Sequence, residues 1–189
     1  MNQFKFLTQD CFVYQLKILE LTAGLVQSDM TYLESKETLT LDEKKQLKWC
    51  EESWNLLIDT TFLQIYAKLE ELLYHECEHQ LIKKKASISR FETPLLELGY
   101  RLNNEHWVAL INMSKIRNCL LHGNGRLDLD QYGQDTKETI HTINSDACTD
   151  LIEIIKFNPH HSDSYKIRLN YQFILYCLEK IKNFIDAQP

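Results

Sequence analysis

Leu47, Cys50, Trp54, Ile58, Phe62, Ile65, Leu69 and Leu72 follow one another at steps of three and four residues. An α-helix turns once every ~3.6 residues, so this spacing gathers all of them on one face, which must be covered by other elements. Leu41-Asp42-Glu43 opens the stretch with acids where the helix dipole favours them, and Lys83-Lys84-Lys85 closes it with cations at the opposite pole. Unbroken to Lys83, the helix would be ~60 Å long at ~1.5 Å per residue, which leaves room for a kink near Asp59-Thr60-Thr61.

The remaining pattern supplies helices to pack against it. Phe6, Phe12, Leu16, Leu19 and Val26 recur at helical steps, giving a helix over 4–27 that Gly24 weakens in its last turn; the polar stretch 28–40 reads as a loop. Pro94 suits the first turn of a short helix ended by Gly99. Asn103 or Asn104 caps a helix reaching about Leu121, with Gly123 supplying a left-handed turn at its end. Residues 126–146 are polar and turn-like. Residues 151–157 and 165–169 read as two short strands joined by a loop over 158–163. Residues 171–185 form a last amphipathic helix, with Phe173, Ile174, Cys177, Leu178 and Ile181 on one side.

With 189 residues, 44% of them hydrophobic and 25% charged, the chain is a single folded domain. Five Gly and three Pro are too few for a turn-rich all-β fold. The expected class is mainly α, an up-down helical bundle with a small β-hairpin before the C-terminal helix. Lys and Arg number 21 against 27 Asp and Glu, a net charge of −6, so bulk electrostatics do not favour nucleic acid and any such contact needs a local basic cleft. No apolar run is long enough to span a membrane, and the N-terminal residues lack the pattern of a secretory signal. The six Cys (11, 50, 77, 119, 148 and 177) form no CxxC pair and sit mostly among large apolar residues, as small apolar fillers. A reducing cytoplasm is the expected location.

Two clusters carry chemistry. His75-Glu76-Cys77-Glu78-His79 matches HExxH, in which two imidazoles one turn apart grip zinc and the Glu acts as general base. Glu78 stands where zinc-protease helices are uncharged, and beyond Glu92 or Glu97 no third ligand is in view. The metal-free, structural reading is therefore favoured, with His75 and His79 as a weak metal-binding alternative.

The second cluster is Ile116-Arg117-Asn118-Cys119-Leu120-Leu121-His122-Gly123. Apolar residues from Trp107 to Leu120 occupy nearly the whole circumference of this helix, which predicts burial on more than one side, including against a second subunit. An Arg within that girdle loses solvation unless an anion meets it. Its partner is either a buried carboxylate, for which Glu97 is a candidate, or a phosphate. Arg117 and His122 point ~140° apart on an ideal helix, so one subunit does not readily converge both on one phosphate.

The stretch Trp107-(x8)-Ile116-Arg117-Asn118-(x3)-His122-(x2)-Gly125 resembles the Arg-polar-x3-His signature of HEPN domains (higher eukaryotes and prokaryotes nucleotide-binding). The resemblance covers the four-helix plan, about residues 4–123 and 171–186, and leaves 126–169 as an insertion outside the family pattern. It implies a metal-independent endoribonuclease without cofactor, of the kind found among toxins and phage-defence effectors, or else a non-catalytic dimerisation or nucleotide-binding module. It implies Arg117 as the phosphate-binding cation, His122 as general acid or base and Asn118 as the residue positioning them. Two motifs would meet in a homodimer formed through the motif helix. Lys115 and Arg126 would supply the local basic patch for RNA, and an antitoxin or regulatory partner fits such a role.

Overall fold

The computed structural model describes residues 3–77, 88–158 and 164–188, with side chains from Phe12 onward. Helices α1 (Gln3–Glu34) and α2 (Leu41–Glu76) form a long hairpin. A single 3₁₀ turn (Ile88–Phe91) leads into the short α3 (Glu92–Glu97), and α4 (Glu105–Gly123) and α5 (Gly133–Ala147) follow. Strands β1 (Ile152–Lys156) and β2 (Tyr165–Leu169) pair antiparallel, from Ile152 opposite Leu169 to Lys156 opposite Tyr165. Helix α6 (Tyr171–Asp186) closes the chain. This is the mainly helical class read from the sequence, with its hairpin before the last helix. Among the described residues no helix is long and apolar enough to cross a membrane.

The capping chemistry is local and explicit. Thr40 and Glu43 form a capping box: the Thr40 hydroxyl accepts from the Glu43 N–H, and the Glu43 carboxylate accepts from the Thr40 N–H at 2.9 Å. The Lys36 ammonium and these Thr40 bonds hold the Glu43 carboxyl down to about 2. Asn104 accepts from the Trp107 N–H to start α4, and Asn170 accepts from the Phe173 N–H to start α6, each at 2.9 Å. Helix α2 is continuous through Asp59-Thr60-Thr61. The two threonine hydroxyls donate back to the Leu56 and Leu57 carbonyls, so the polar run satisfies itself without breaking the helix. It ends at Glu76 with Cys77 as cap; Lys83-Lys84-Lys85 lies outside the described residues.

The core is built where α2, α4 and α6 meet. Ile58, Phe62, Ile65 and Leu69 of α2 are fully buried with Leu110, Met113 and Ile116 of α4 and Phe173, Ile174 and Phe184 of α6. The Phe62 and Phe173 rings lie 5.0 Å apart, and Trp107 lies 5.6 Å from Phe184. Cys50, Cys77, Cys119 and Cys177 are buried thiols, as expected of apolar fillers, while Cys148 is exposed.

Two expectations fail. Helix α1 continues through the polar stretch to Glu34, because Leu33 stays on the face that packs inward and is almost fully buried. The segment 126–146 is not merely turn-like: it contains α5, whose buried stripe is Thr136, Thr139, Ile140 and Ile143. Two threonines stand where the helical pattern calls for apolar residues, and this hides the period. The Thr136 hydroxyl donates to Asp130 at 2.6 Å, which removes the penalty of burying it. Leu127, Ile140, Ile143, Ile152 and Ile167 join the main core, so 126–169 is integral to it and not an appendage.

Asn144 of α5 ties this segment together. Its carbonyl accepts from the Leu151 and Ile152 N–H groups at 3.0 and 3.1 Å, and its amide donates to the Ile152 carbonyl at 2.9 Å, capping the outer edge of β1 as a neighbouring strand would. Asn144→Ala leaves the Ile152 N–H and carbonyl without this partner, while the Leu151 N–H keeps the Thr149 carbonyl at 3.0 Å, and is expected to cost about 2 kcal/mol in chemical denaturation. A loss below a few tenths would contradict this role.

Asp59 sits half-buried on α2, and its burial pushes the carboxyl up to about 6, with Lys166 of β2 pulling the other way. Because the folded pKa lies above the ordinary value of 3.8, the folded chain holds a proton there that the unfolded chain has released. This contribution is complete below about pH 4 and is lost as pH rises through about 6. Asp59→Asn is therefore expected to raise Tm at pH 7.5 relative to the parent, with the gap closing by pH 4. Parallel Tm profiles for the two proteins across that range would contradict it.

Candidate functional site on the central helix

Helix α4 runs through the middle of the bundle, covered by α2, α5, α6 and the 3₁₀ turn. This explains its nearly complete apolar circumference: Leu110, Met113, Ile116 and Cys119 are fully buried within one chain, and a second subunit is not needed to cover them. Val108 and Leu121 are the large apolar side chains of α4 left exposed.

Arg117 leaves α4 toward α2. Its Nη1 donates to the Asn118 Oδ1 at 2.9 Å, and its Nη2 lies 3.4 Å from Oε2 of Glu70. The guanidinium stands 5.8 Å from the centre of the Tyr66 ring, one helical turn before Glu70. Only 23% of the Arg117 side chain is exposed and 13% of Glu70. The carboxylate that meets the arginine is thus Glu70 and not Glu97, which is exposed at the end of α3. Arg90 of the 3₁₀ turn reaches the other Glu70 oxygen at 3.5 Å. Burial pushes the Tyr66 phenol far above its ordinary range, with Ser114 the principal opposing influence.

Neither Glu70 nor Arg90 was a candidate from the sequence. Glu70 lies on the long helix 47 positions before Arg117, among other acids, and nothing local marks it out. The signal available was its position one turn after Tyr66 and beside Leu69, on the edge of the buried face.

His122 occupies the last turn of α4 and is exposed, with no hydrogen bond or ion pair among the described residues. The left-handed residues that end this helix are Asn124 (φ 50°) and Gly125 (φ 77°), not Gly123, which is the last helical residue. The Gly125 N–H returns to the Cys119 carbonyl at 3.1 Å and closes the helix. Arg117 faces α2 while His122 faces solvent, so one chain does not bring them into contact. Asn118 is half-buried between them and orients the guanidinium.

The two cations expected beside the motif are both paired within the chain. Lys115 is half-buried and bonds Asp135 of α5 at 2.9 Å; Arg126 pairs with Asp128 and stacks over Phe157, 4.7 Å from the ring centre. In the HExxH stretch, His75 is exposed, 3.9 Å from Glu71, and His79 lies outside the described residues. Glu76 accepts the Tyr100 hydroxyl at 2.6 Å, a tie between α2 and the segment before α4. Among the described residues no three His, Cys, Asp or Glu side chains come together as a metal site. The Cys119 thiol is pushed up to about 12, by burial first and by Asp130 second, and is not a nucleophile at neutral pH.

The site is therefore a clamped guanidinium with N–H donors left over, and a free imidazole at the end of the same helix. Comparison of the chain with known protein families, characterised proteins and solved structures finds no match to any of them.

Proposed function

We propose that this chain is a metal-independent endoribonuclease of HEPN type that works as a homodimer. The supporting observation is the state of Arg117. A guanidinium carries five N–H donors in a rigid fork, and here Asn118 and Glu70 engage only part of that fork while part of the side chain remains accessible. In the proposed reaction the RNA 2′-hydroxyl attacks the adjacent phosphorus and expels the 5′-oxygen, leaving a 2′,3′-cyclic phosphate and a 5′-hydroxyl end. His122 accepts the 2′ proton and the leaving oxygen takes one up, from the same imidazole or its twofold mate. Arg117 stabilises the charge that grows on the equatorial oxygens.

Because Arg117 and His122 diverge, a complete site takes one from each protomer, with Val108 and Leu121 among the apolar residues of α4 available for the contact. A cytoplasmic toxin or phage-defence role under the control of an antitoxin or activator accords with a site of this kind. The alternative reading, a non-catalytic HEPN-like dimerisation or nucleotide-binding module, draws support from the Arg117–Glu70 pair, which also serves as a purely structural tie. Incubation of the purified chain with structured and unstructured RNA in EDTA separates the two. Cleavage leaving cyclic phosphates carries the first reading. Dimerisation with nucleotide-dependent thermal stabilisation and no cleavage carries the second, and a monomer without either property overturns both.

A further inference from the structure

Glu70 holds one negative charge between two guanidiniums, each in ion-pair contact at 3.4–3.5 Å and neither at the 2.7–2.9 Å of a strong charge-assisted bond. The cluster carries one positive charge in excess. Two of its donors lack a well-formed hydrogen bond: Nε of Arg90 is buried without a partner, and the hydroxyl of Tyr66, a residue only 1% exposed, has only the Ser114 hydroxyl beside it and no bond of good geometry. Ser114 is the hydroxyl neighbour of that phenol, and the charges of Glu70, Arg117 and Arg90 all act on it. Buried donors in a native fold are nearly always paired, with protein, water or a bound ion. A single carboxylate has two oxygens for this set of donors; a backbone phosphodiester beside it adds two non-bridging oxygens and the missing negative charge.

We infer that Arg90, Arg117 and Tyr66 form an oxyanion site that takes a backbone phosphate of RNA, with Glu70 as the resident counter-ion that the phosphate competes against. The inference rests on Arg117 as a phosphate contact and adds to it two residues from outside the motif, on α2 and the 3₁₀ turn. It also gives the acidic residue a role. Glu70 holds both guanidiniums oriented while no nucleic acid is bound, and it sets the threshold an incoming phosphate must exceed, a restraint suited to an enzyme that must ignore most RNA. Arg90 packs its guanidinium on Phe91, 4.7 Å from the ring centre, so its fork is held in place before the ligand arrives.

The test uses the full chain and a 2′-O-methyl RNA oligonucleotide, which binds but cannot undergo 2′-hydroxyl attack, so binding is read apart from cleavage. Arg90→Gln is expected to weaken binding about tenfold and to lower the slope of log affinity against log salt by about 0.7, the signature of one lost phosphate contact on a single strand. Glu70→Gln is expected to bind several-fold tighter, because the internal competitor loses its charge while its shape remains. Tyr66→Phe is expected to bind about threefold weaker while folding at least as stably as the parent, an outcome that a merely structural hydroxyl would not produce.

If Arg90→Gln folds poorly, Glu70→Gln and Tyr66→Phe decide the matter. A parent that fails to bind the oligonucleotide, or folded variants that bind it with the parent's affinity and salt slope, overturns the inference. If the parent cleaves RNA while Arg90→Gln and Tyr66→Phe bind unchanged, the ribonuclease reading survives and this site does not. If the variants shift binding as stated but nothing is cleaved, the site survives and the ribonuclease reading falls.

Discussion

His122→Ala is expected to reduce RNA cleavage in EDTA by about 10²–10⁴-fold, the usual contribution of a positioned acid or base. Its thermal stability should stay close to that of the parent, because the imidazole is exposed and makes no hydrogen bond or ion pair among the described residues. Arg117→Ala should lose a comparable factor in rate and also some stability, since it leaves Glu70 with Arg90 as its remaining cation. Arg117→Lys keeps the charge and removes the fork, and it should recover stability more fully than rate.

The decisive variant of this experiment mixes the two inactive chains. If each site takes its arginine from one protomer and its histidine from the other, a heterodimer of Arg117→Ala with His122→Ala contains one complete site, and cleavage returns. If each chain carries its own site, the heterodimer stays inactive. Cleavage by His122→Ala at the parent's rate would remove the proposed chemistry altogether.

Gly133→Ala is expected to cost about 3 kcal/mol, among the larger effects of any single methyl group in this chain. A Cβ at Gly133 would stand well inside contact distance of the Leu127 carbonyl oxygen, a backbone atom that cannot rotate away. The Leu127 N–H is itself committed to the Tyr165 carbonyl of β2 at 2.9 Å, so relief would require the start of α5 or the edge of the hairpin to move. In thermal unfolding a chain of this size should lose roughly 6–12 °C. Gly24→Ala is the control. It lies inside α1 with nothing within 4 Å of the added carbon, and it should gain about 0.5–1 kcal/mol from helix propensity alone. Equal effects of the two substitutions would show that the contact at Leu127 is not limiting.

Much of the architecture was legible because it depends on near neighbours in the chain. The period of α2 from Leu47 to Leu72, the Asn that starts α4, and the two apolar strands flanking a Pro-containing loop are short-range signals, and the structure carries each of them. Where the period was broken by residues of ambiguous polarity, it failed. Thr136 is buried in α5 because Asp130 accepts from its hydroxyl, and the polar stretch of α1 stays helical because Leu33 is needed on its inner face.

The site divides in the same way. That an arginine set in the apolar girdle of α4 must meet an anion follows from desolvation, and the sequence alone was enough to require it. Which anion it meets was decided by the packing of α2 on α4, which brings Glu70 and Tyr66 to Arg117 from 47 and 51 positions away and sets Arg90 on the other side of the same carboxylate. The sequence by itself therefore determined most of the helices, the cap of α4 and the need for a counter-ion, since each is a matter of local hydrogen bonding, side-chain period or desolvation. The identity of that counter-ion, the two orphan donors beside it and the outward aim of His122 came only with the tertiary structure, because ion pairing and burial depend on distances across the fold that residue spacing does not encode.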